Sequence, residues 1–215
     1  MLGLLDDDGC VERAGDELRA TVRFSTLDGG LYVHSSCPTT ANDAVFFGPD
    51  SYRFARLLRE RVVGARSLID VGAGSGVGGL CLADRVERII LTHVSKSARS
   101  FARVNAELAL VDAEKRLYRD GGALGLELTA RIAREALEHL PGGGQLVVHS
   151  GALFIDGVDQ LTREVMPRMP AGATYEELEP DVVGEEPAYA RVDRIAAVAL
   201  LARKDCGSMS SGAYR

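Results

Sequence analysis

Stretches of alternating or helically spaced apolar residues succeed one another along this chain, and each period predicts an element. ELRATVRFSTL (17–27) alternates over part of its length, and GGLYVHSS follows an Asp-Gly-Gly turn, so two strands around that turn predict a hairpin. Pro49 and Asp50 mark a helix start, and Phe54, Leu57, Leu58 and Val62 keep helical spacing behind them. SLIDV (67–71) is a short apolar strand that breaks off at a run of glycines, with a helix through Val77, Leu80, Cys81 and Leu82 after it. RIILTHV (88–94) is a β-branched run and predicts a second strand. A helix over 97–110 follows, with Phe101, Val104 and Leu108 on one face.

DAEKRLYRDGG reads as a connector. Residues 124–140 predict a long amphipathic helix with Leu128, Ile132, Ala136 and Leu137 inward, stopped by PGGG. QLVVHSG (145–151) predicts a third strand, and a helix at about 157–166 ends near Pro167. TYEELE and RIAAVALLARK predict an antiparallel pair at a sheet edge, and the acidic stretch EELEPDVVGEE reads as a solvated loop. Strands alternating with helices imply an α/β fold, mostly parallel, with helices on both faces. The predicted organisation is an N-terminal β-hairpin extension over 1–45, a Rossmann-like domain over 46–204, and a small, polar, disordered tail over 205–215.

Composition narrows the function classes. The 215 residues, 46% apolar, suffice for one domain with a real core, and with no Trp that core must be mainly Leu, Val, Ile and Ala. A net charge of -6 argues against a broad non-specific grip on nucleic acid, which needs a basic face, although a local basic patch stays open. The cysteines at 10, 37, 81 and 206 form no CxxC pair, so isolated reduced thiols are expected, with no metal site and no disulfide framework. MLGLLDDDGC lacks the basic start and long apolar core of a signal peptide, and the eight-residue run IAAVALLA cannot span a bilayer. A cytoplasmic protein without a membrane segment is the expectation.

The informative stretch is LIDVGAGSG (68–76). Glycines at alternate positions after a buried strand let the backbone turn sharply and come close to a ligand. In a dinucleotide fold the following helix would take a pyrophosphate there. Here the pattern is not G-x-G-x-x-G, and Asp70 ends the strand at the loop, where it would repel a diphosphate. A carboxylate at that place suits a cationic ligand or hydrogen-bond donors such as an amino group.

DVGAGSG after an apolar strand resembles motif I of the class I S-adenosylmethionine-dependent methyltransferases. VFFGPDSYRFARLL is similar to the segment upstream of motif I in the "methyltransferase small domain" group, which includes release-factor glutamine and ribosomal RNA guanine methyltransferases. ARVNAELALV, YRDGGALGLELTARIAREALEHLPGGGQLVVHSG and the closing strand pair extend the resemblance over roughly residues 20–204. The resemblance implies a Rossmann-like sheet with an antiparallel C-terminal strand pair, S-adenosylmethionine as cofactor, and methylation of a nitrogen on a protein or RNA. It also implies cofactor contacts from Asp70, Gly72, Ala73, Gly74 and Gly76, from Phe47, Pro49, Asp50 and Ser51, and from His93. Tyr118 is a candidate for the substrate side.

Two departures from the family pattern stand out. His93 occupies the position where the second strand usually ends in an acid that holds the ribose hydroxyls. No Asn-Pro-Pro-Tyr-like string, which in the family positions the nitrogen to be methylated, occurs anywhere. About two strands and a helix of the family pattern are missing with it. A catalytically inactive, methyltransferase-like protein acting as a cofactor-binding or partner subunit is therefore the alternative reading. A nicotinamide-dependent oxidoreductase would need G-x-G-x-x-G and an acid after the second strand, and this chain has neither.

Overall fold

In the computed structural model, which describes residues 10–37, 43–109, 113–116, 126–181 and 191–206, two tight turns fold the start of the chain into hairpins. Gly15 has φ 68°, and β1 (Val11–Ala14) pairs antiparallel with β2 (Glu17–Ala20) across it. Asp28 and Gly29 have φ of 48° and 82°, a left-handed turn whose twist matches that of the strands it joins, β3 (Val22–Leu27) and β4 (Gly30–Ser35). This second hairpin is the one the Asp-Gly-Gly signal predicts. Residues 17–27, read from the pattern as one strand, are two: the chain breaks at Thr21, whose N–H donates to the Cys10 carbonyl at 3.0 Å.

The hairpins belong to the first of two compact units, Met1–Arg119; the second is Asp120–Arg215. In the first unit α1 (Pro49–Arg61) starts on its proline, which has no N–H to leave unpaired, and buries Ala55, Leu57 and Leu58. The Tyr52 hydroxyl donates to the Thr26 carbonyl at 3.2 Å and pins α1 to β3. β5 (Ser67–Val71) and β6 (Arg88–Thr92) run parallel, with Asp70 opposite Leu91 and Val71 opposite Thr92. β7 (Ala113–Arg116) pairs parallel on the far side of β6, giving the order β5-β6-β7. Its four residues, AEKR, carry no strand pattern and read from the sequence as connector; the ladder with β6 makes them a strand.

Two further differences concern helices. α2 (Val77–Leu80) has only four residues, and the chain continues through turns to 85 where the pattern predicts helix through Leu82. α3 (Lys96–Leu108) buries Ala98, Ala102, Asn105 and Ala106, whereas Val104 and Leu108, expected inward, are 39% and 49% exposed. Small side chains let this helix approach β4 closely, and that approach outweighs burial of the larger residues.

The second unit holds α4 (Leu126–His139), β8 (Gln145–Ile155), β9 (Val158–Asp159), α5 (Gln160–Val165), a 3-10 turn at Met166–Arg168, β10 (Thr174–Asp181) and β11 (Arg194–Arg203). Its strands form an antiparallel sheet in the order β10-β11-β8-β9, so the predicted antiparallel pair is present and QLVVHSG is the start of a longer strand. Ala133, Leu146, Ala152, Leu161, Val165, Val198 and Leu200 make its core, with Ala136 and Leu137 of α4 packed against it. Arg194 lies 3.5 Å over the Phe154 ring and bonds both oxygens of Glu177. Of the acidic stretch read as a solvated loop (176–186), residues 176–181 belong to β10, paired along β11, and the rest lies outside the described residues, as do Tyr118 and the tail over 207–215.

Candidate functional site

The glycine loop leaves β5 at its carboxyl end, where ligands of α/β sheets bind. Gly72, Gly74 and Gly76 have φ of 82°, 55° and 85°, a left-handed run that strains any residue with a Cβ. The loop is held from beneath by one acceptor. The Thr92 carbonyl at the end of β6 takes the N–H of Gly72 at 3.0 Å and of Ala73 at 2.9 Å. The Thr92 hydroxyl donates to the Asp70 carbonyl at 3.1 Å.

Space divides the glycines into two sets. A Cβ at Gly72 would meet nothing within 4 Å, and one at Gly74 only the Gly72 carbonyl at 4.0 Å, so the loop's outer side is open there. A Cβ at Gly76 would stand 3.1 Å from Leu80 and Leu91. At Gly78 it would meet the Phe54 ring at 2.5 Å and the Asp70 carboxylate at 2.8 Å, and at Gly79 it would meet Leu91 at 2.5 Å. Gly78 and Gly79 let α2 sit directly against β5, β6 and α1. They escaped the sequence reading, although a glycine pair at the start of a helix is itself a sign of close backbone packing.

Asp70 is buried under this loop, and its Oδ2 accepts the Gly79 N–H at 2.8 Å. Burial pushes its carboxyl up to about 6, while the Gly79 bond pulls it down. The carboxyl thus stands in the chain just before the glycines, with the Gly79 N–H as its partner.

His93 follows β6 directly, next to the carbonyl that carries the loop. Its Nδ1 accepts the Ser95 N–H at 3.0 Å, and Arg99 donates to its carbonyl at 3.2 Å. Burial, aided by the Arg99 charge, lowers its pKa. The ring is thus neutral at pH 7, with Nδ1 occupied as acceptor and the proton on Nε2. It offers a donor where a carboxylate would offer two acceptors.

Phe47 is buried among aromatic neighbours: His34 stacked at 5.2 Å, Tyr32 at 5.4 Å and Tyr52 edge-on at 5.3 Å. The His34 Nδ1–H donates to the Ser35 carbonyl, so its Nε2 accepts from the Ser25 hydroxyl, both at 2.9 Å. Burial lowers the His34 pKa. Pro49 is the first residue of α1, Asp50 pairs with Arg53 at 2.9 Å, and the Ser51 hydroxyl accepts the Gly48 N–H at 3.3 Å. The structure thus brings Asp70, Ala73, the three loop glycines and His93 to the adjoining carboxyl ends of β5 and β6. The contacts of Phe47, Asp50 and Ser51 run to β4 and within the start of α1.

Another residue missed in the sequence joins these two groups. Asn105, fully buried on α3, donates to the carbonyls of both Val33 in β4 and Ser75 in the loop. A polar residue on the inward stripe of a helix was the available signal, since buried amides are there to be hydrogen-bonded.

No family model matches the sequence, and no curated protein matches it. Solved structures do. Trm5b from Pyrococcus abyssi superposes with a TM-score of 0.56 at 15% identity over 90% of this chain and 62% of its own. The M. jannaschii tRNA m1G37 methyltransferase gives 0.55 at 14% identity, over 88% and 60%. P. horikoshii TYW2 in complex with MeSAdo gives 0.53 at 16% identity, over 87% and 74%. The α/β fold resembles that of Rossmann-like methyltransferases. The chain spans about three fifths of the length of the first two of these proteins. Among the described residues, no helix is long and apolar enough to cross a membrane, and no three or more His, Cys, Asp or Glu side chains are grouped to hold a metal ion.

Proposed function

We propose that the chain binds S-adenosylmethionine on the loop Gly72–Gly76 and transfers its methyl group to a nitrogen of an RNA or protein acceptor. The observation that carries this is the loop itself. Three left-handed glycines present an open backbone face at Gly72 and Gly74, on the loop that follows the buried carboxyl of Asp70. That combination suits a ligand with a cationic centre and not a diphosphate.

The residues fit the group in chemical type. Asp70 supplies negative potential for a sulfonium and an amino group, and the glycines supply backbone without side chains. Ala73, buried between them, keeps the loop's spacing. The Nε2–H of His93 supplies a donor for a ribose oxygen. Phe47, Pro49, Asp50 and Ser51 are proposed as the flank of the same site. Bound there, the cofactor supplies a methyl made electrophilic by its sulfonium; the chain's own task is to hold and align it against the acceptor's lone pair. Similarity to a tRNA methyltransferase and to a protein captured with MeSAdo supports an adenosyl ligand and favours RNA as the acceptor class.

Calorimetric titration with S-adenosylmethionine and S-adenosylhomocysteine tests the site. Wild-type binding that disappears in Asp70→Ala and Gly74→Val supports it; undiminished binding in both removes the assignment. Labelled methyl transfer to RNA and to protein fractions then identifies the acceptor, and its absence from both restores the non-catalytic reading.

A further inference from the structure

The Asn105 side chain does the work of a missing strand. Its Oδ1 accepts the Val33 N–H at 2.7 Å and its Nδ2 donates to the Val33 carbonyl at 2.9 Å. Taking both backbone groups of one residue is what a neighbouring strand does in a ladder, so a side chain completes the edge of β4 at Val33. The second hydrogen of the same Nδ2 goes to the Ser75 carbonyl at 2.8 Å. The amide satisfies all three bonds in one orientation only, with oxygen towards the Val33 N–H and nitrogen between the two carbonyls. Ser75 is buried, and its own hydroxyl has no partner among the described residues. Its side chain therefore does not anchor it; the Asn105 bond to its carbonyl does.

We propose that Asn105 is the positioning residue that makes the β3–β4 hairpin and the loop 72–76 respond as one body, so that a ligand on the loop orders the hairpin. This rests on the reading of 72–76 as the ligand loop. One planar amide fixes the Ser75 peptide relative to Val33, and any displacement of the loop must either carry β4 with it or break buried hydrogen bonds. The Val33 N–H reports on the link directly, because its acceptor is Asn105 and not a strand.

The test is amide hydrogen exchange of the whole chain with and without S-adenosylhomocysteine, alongside its calorimetric affinity. In the wild type, saturating ligand slows the loop amides and also slows Val33 at least about fivefold, while β1–β2 changes little. In Asn105→Ala the ligand still slows the loop, Val33 no longer responds, and affinity drops about tenfold. Leu27→Ala, a hairpin-core variant that leaves the amide in place, keeps the Val33 response. Slowing of the loop with Val33 unchanged in the wild type overturns the coupling alone. So does equal slowing through β1–β2, which reports global stabilisation. These wild-type arms decide even where Asn105→Ala does not fold. No binding by the folded wild type overturns the ligand-loop reading, and the coupling falls with it.

Discussion

The carboxylate of Asp70 meets the backbone N–H of Gly79 at 2.8 Å, inside the protein and nine positions along the chain. The bond secures α2 beneath the glycine loop, but it leaves a charged group desolvated. Its pKa of about 6 lies above the ordinary 3.8, so the folded state holds this proton more tightly than the unfolded chain does. Stability from this group is fully present below the unfolded value and is lost as pH rises through about 6. At pH 8 the ionised side chain costs about 3 kcal/mol.

Asp70→Asn keeps an acceptor for the Gly79 N–H and removes the charge. The variant is expected to unfold at a higher temperature than the wild type at pH 8, with the gap closing below pH 4. Its affinity for S-adenosylmethionine is expected to fall at the same time, because the sulfonium loses its counter-charge. Denaturation followed by calorimetry at both pH values reads the first effect. A lower melting point at pH 8 would show that the charge stabilises the loop and is not a cost borne for binding.

Gly72 and Gly79 should separate binding from stability. At Gly79 an added methyl collides with Leu91, and overpacking of this kind costs about 1–3 kcal/mol. At Gly72 it meets no neighbour, and the penalty is the left-handed backbone alone, roughly 1–2 kcal/mol. That methyl projects from the open side of the loop. Gly72→Ala is therefore expected to weaken S-adenosylhomocysteine binding more than Gly79→Ala, while Gly79→Ala loses at least as much stability in urea. Equal binding losses in the two variants would remove the distinction between an outer and an inner face.

His93 is expected to tolerate an acid. An aspartate can also accept the Ser95 N–H, as short side chains do two residues ahead in a turn, and it adds acceptors for ribose hydroxyls. His93→Asp is predicted to bind adenosine about tenfold more tightly, since hydrogen bonds to charged groups are the stronger ones. His93→Ala is predicted to bind it more weakly. Unchanged affinity in both would place the ribose elsewhere.

How much of this was legible depended on how local each cause is. SLIDV was bounded to the residue because an apolar run meets glycine at one end, and the β3–β4 turn was found because Asp-Gly-Gly accepts left-handed angles. The α3 face was misread because size was taken as the guide to burial, whereas the close contact with β4 selects Ala98, Ala102 and Asn105. β7 has no pattern of its own, and its strand character comes from β6. The Asn105 bonds reach 30 and 72 positions away, and no period in the sequence announces a partner at that distance. The loop's glycines could be read as a set, but the split between Gly72, open, and Gly78, packed on Asp70, exists only in three dimensions.

The buried histidine of the hairpin gives the first unit an acid limit that opposes the Asp70 effect. The His34 pKa is lowered, chiefly by burial, so the unfolded chain takes up the proton more readily than the folded one. Its contribution is present above the ordinary value of 6.5 and is lost as pH falls through the lower folded value. Protonation also removes the acceptor for the Ser25 hydroxyl and puts a charge against the Phe47 ring inside the aromatic group. His93, lowered in the same direction, adds to the loss. As pH falls from about 6 towards 4 Asp70 therefore adds stability, because the folded state takes up its proton first, while below 6.5 the histidines remove it, so the two effects oppose each other over the same range. His34→Phe keeps the ring stack, leaves Ser25 to water, and is expected to be more stable relative to the wild type below pH 6.5 than at pH 8. Asp70→Asn is expected to remove the stability that the wild type gains between about pH 6 and 4. Melting temperatures of the two variants and the wild type across pH 4 to 8 separate the two effects, and a histidine loss unchanged in His34→Phe would assign it to His93.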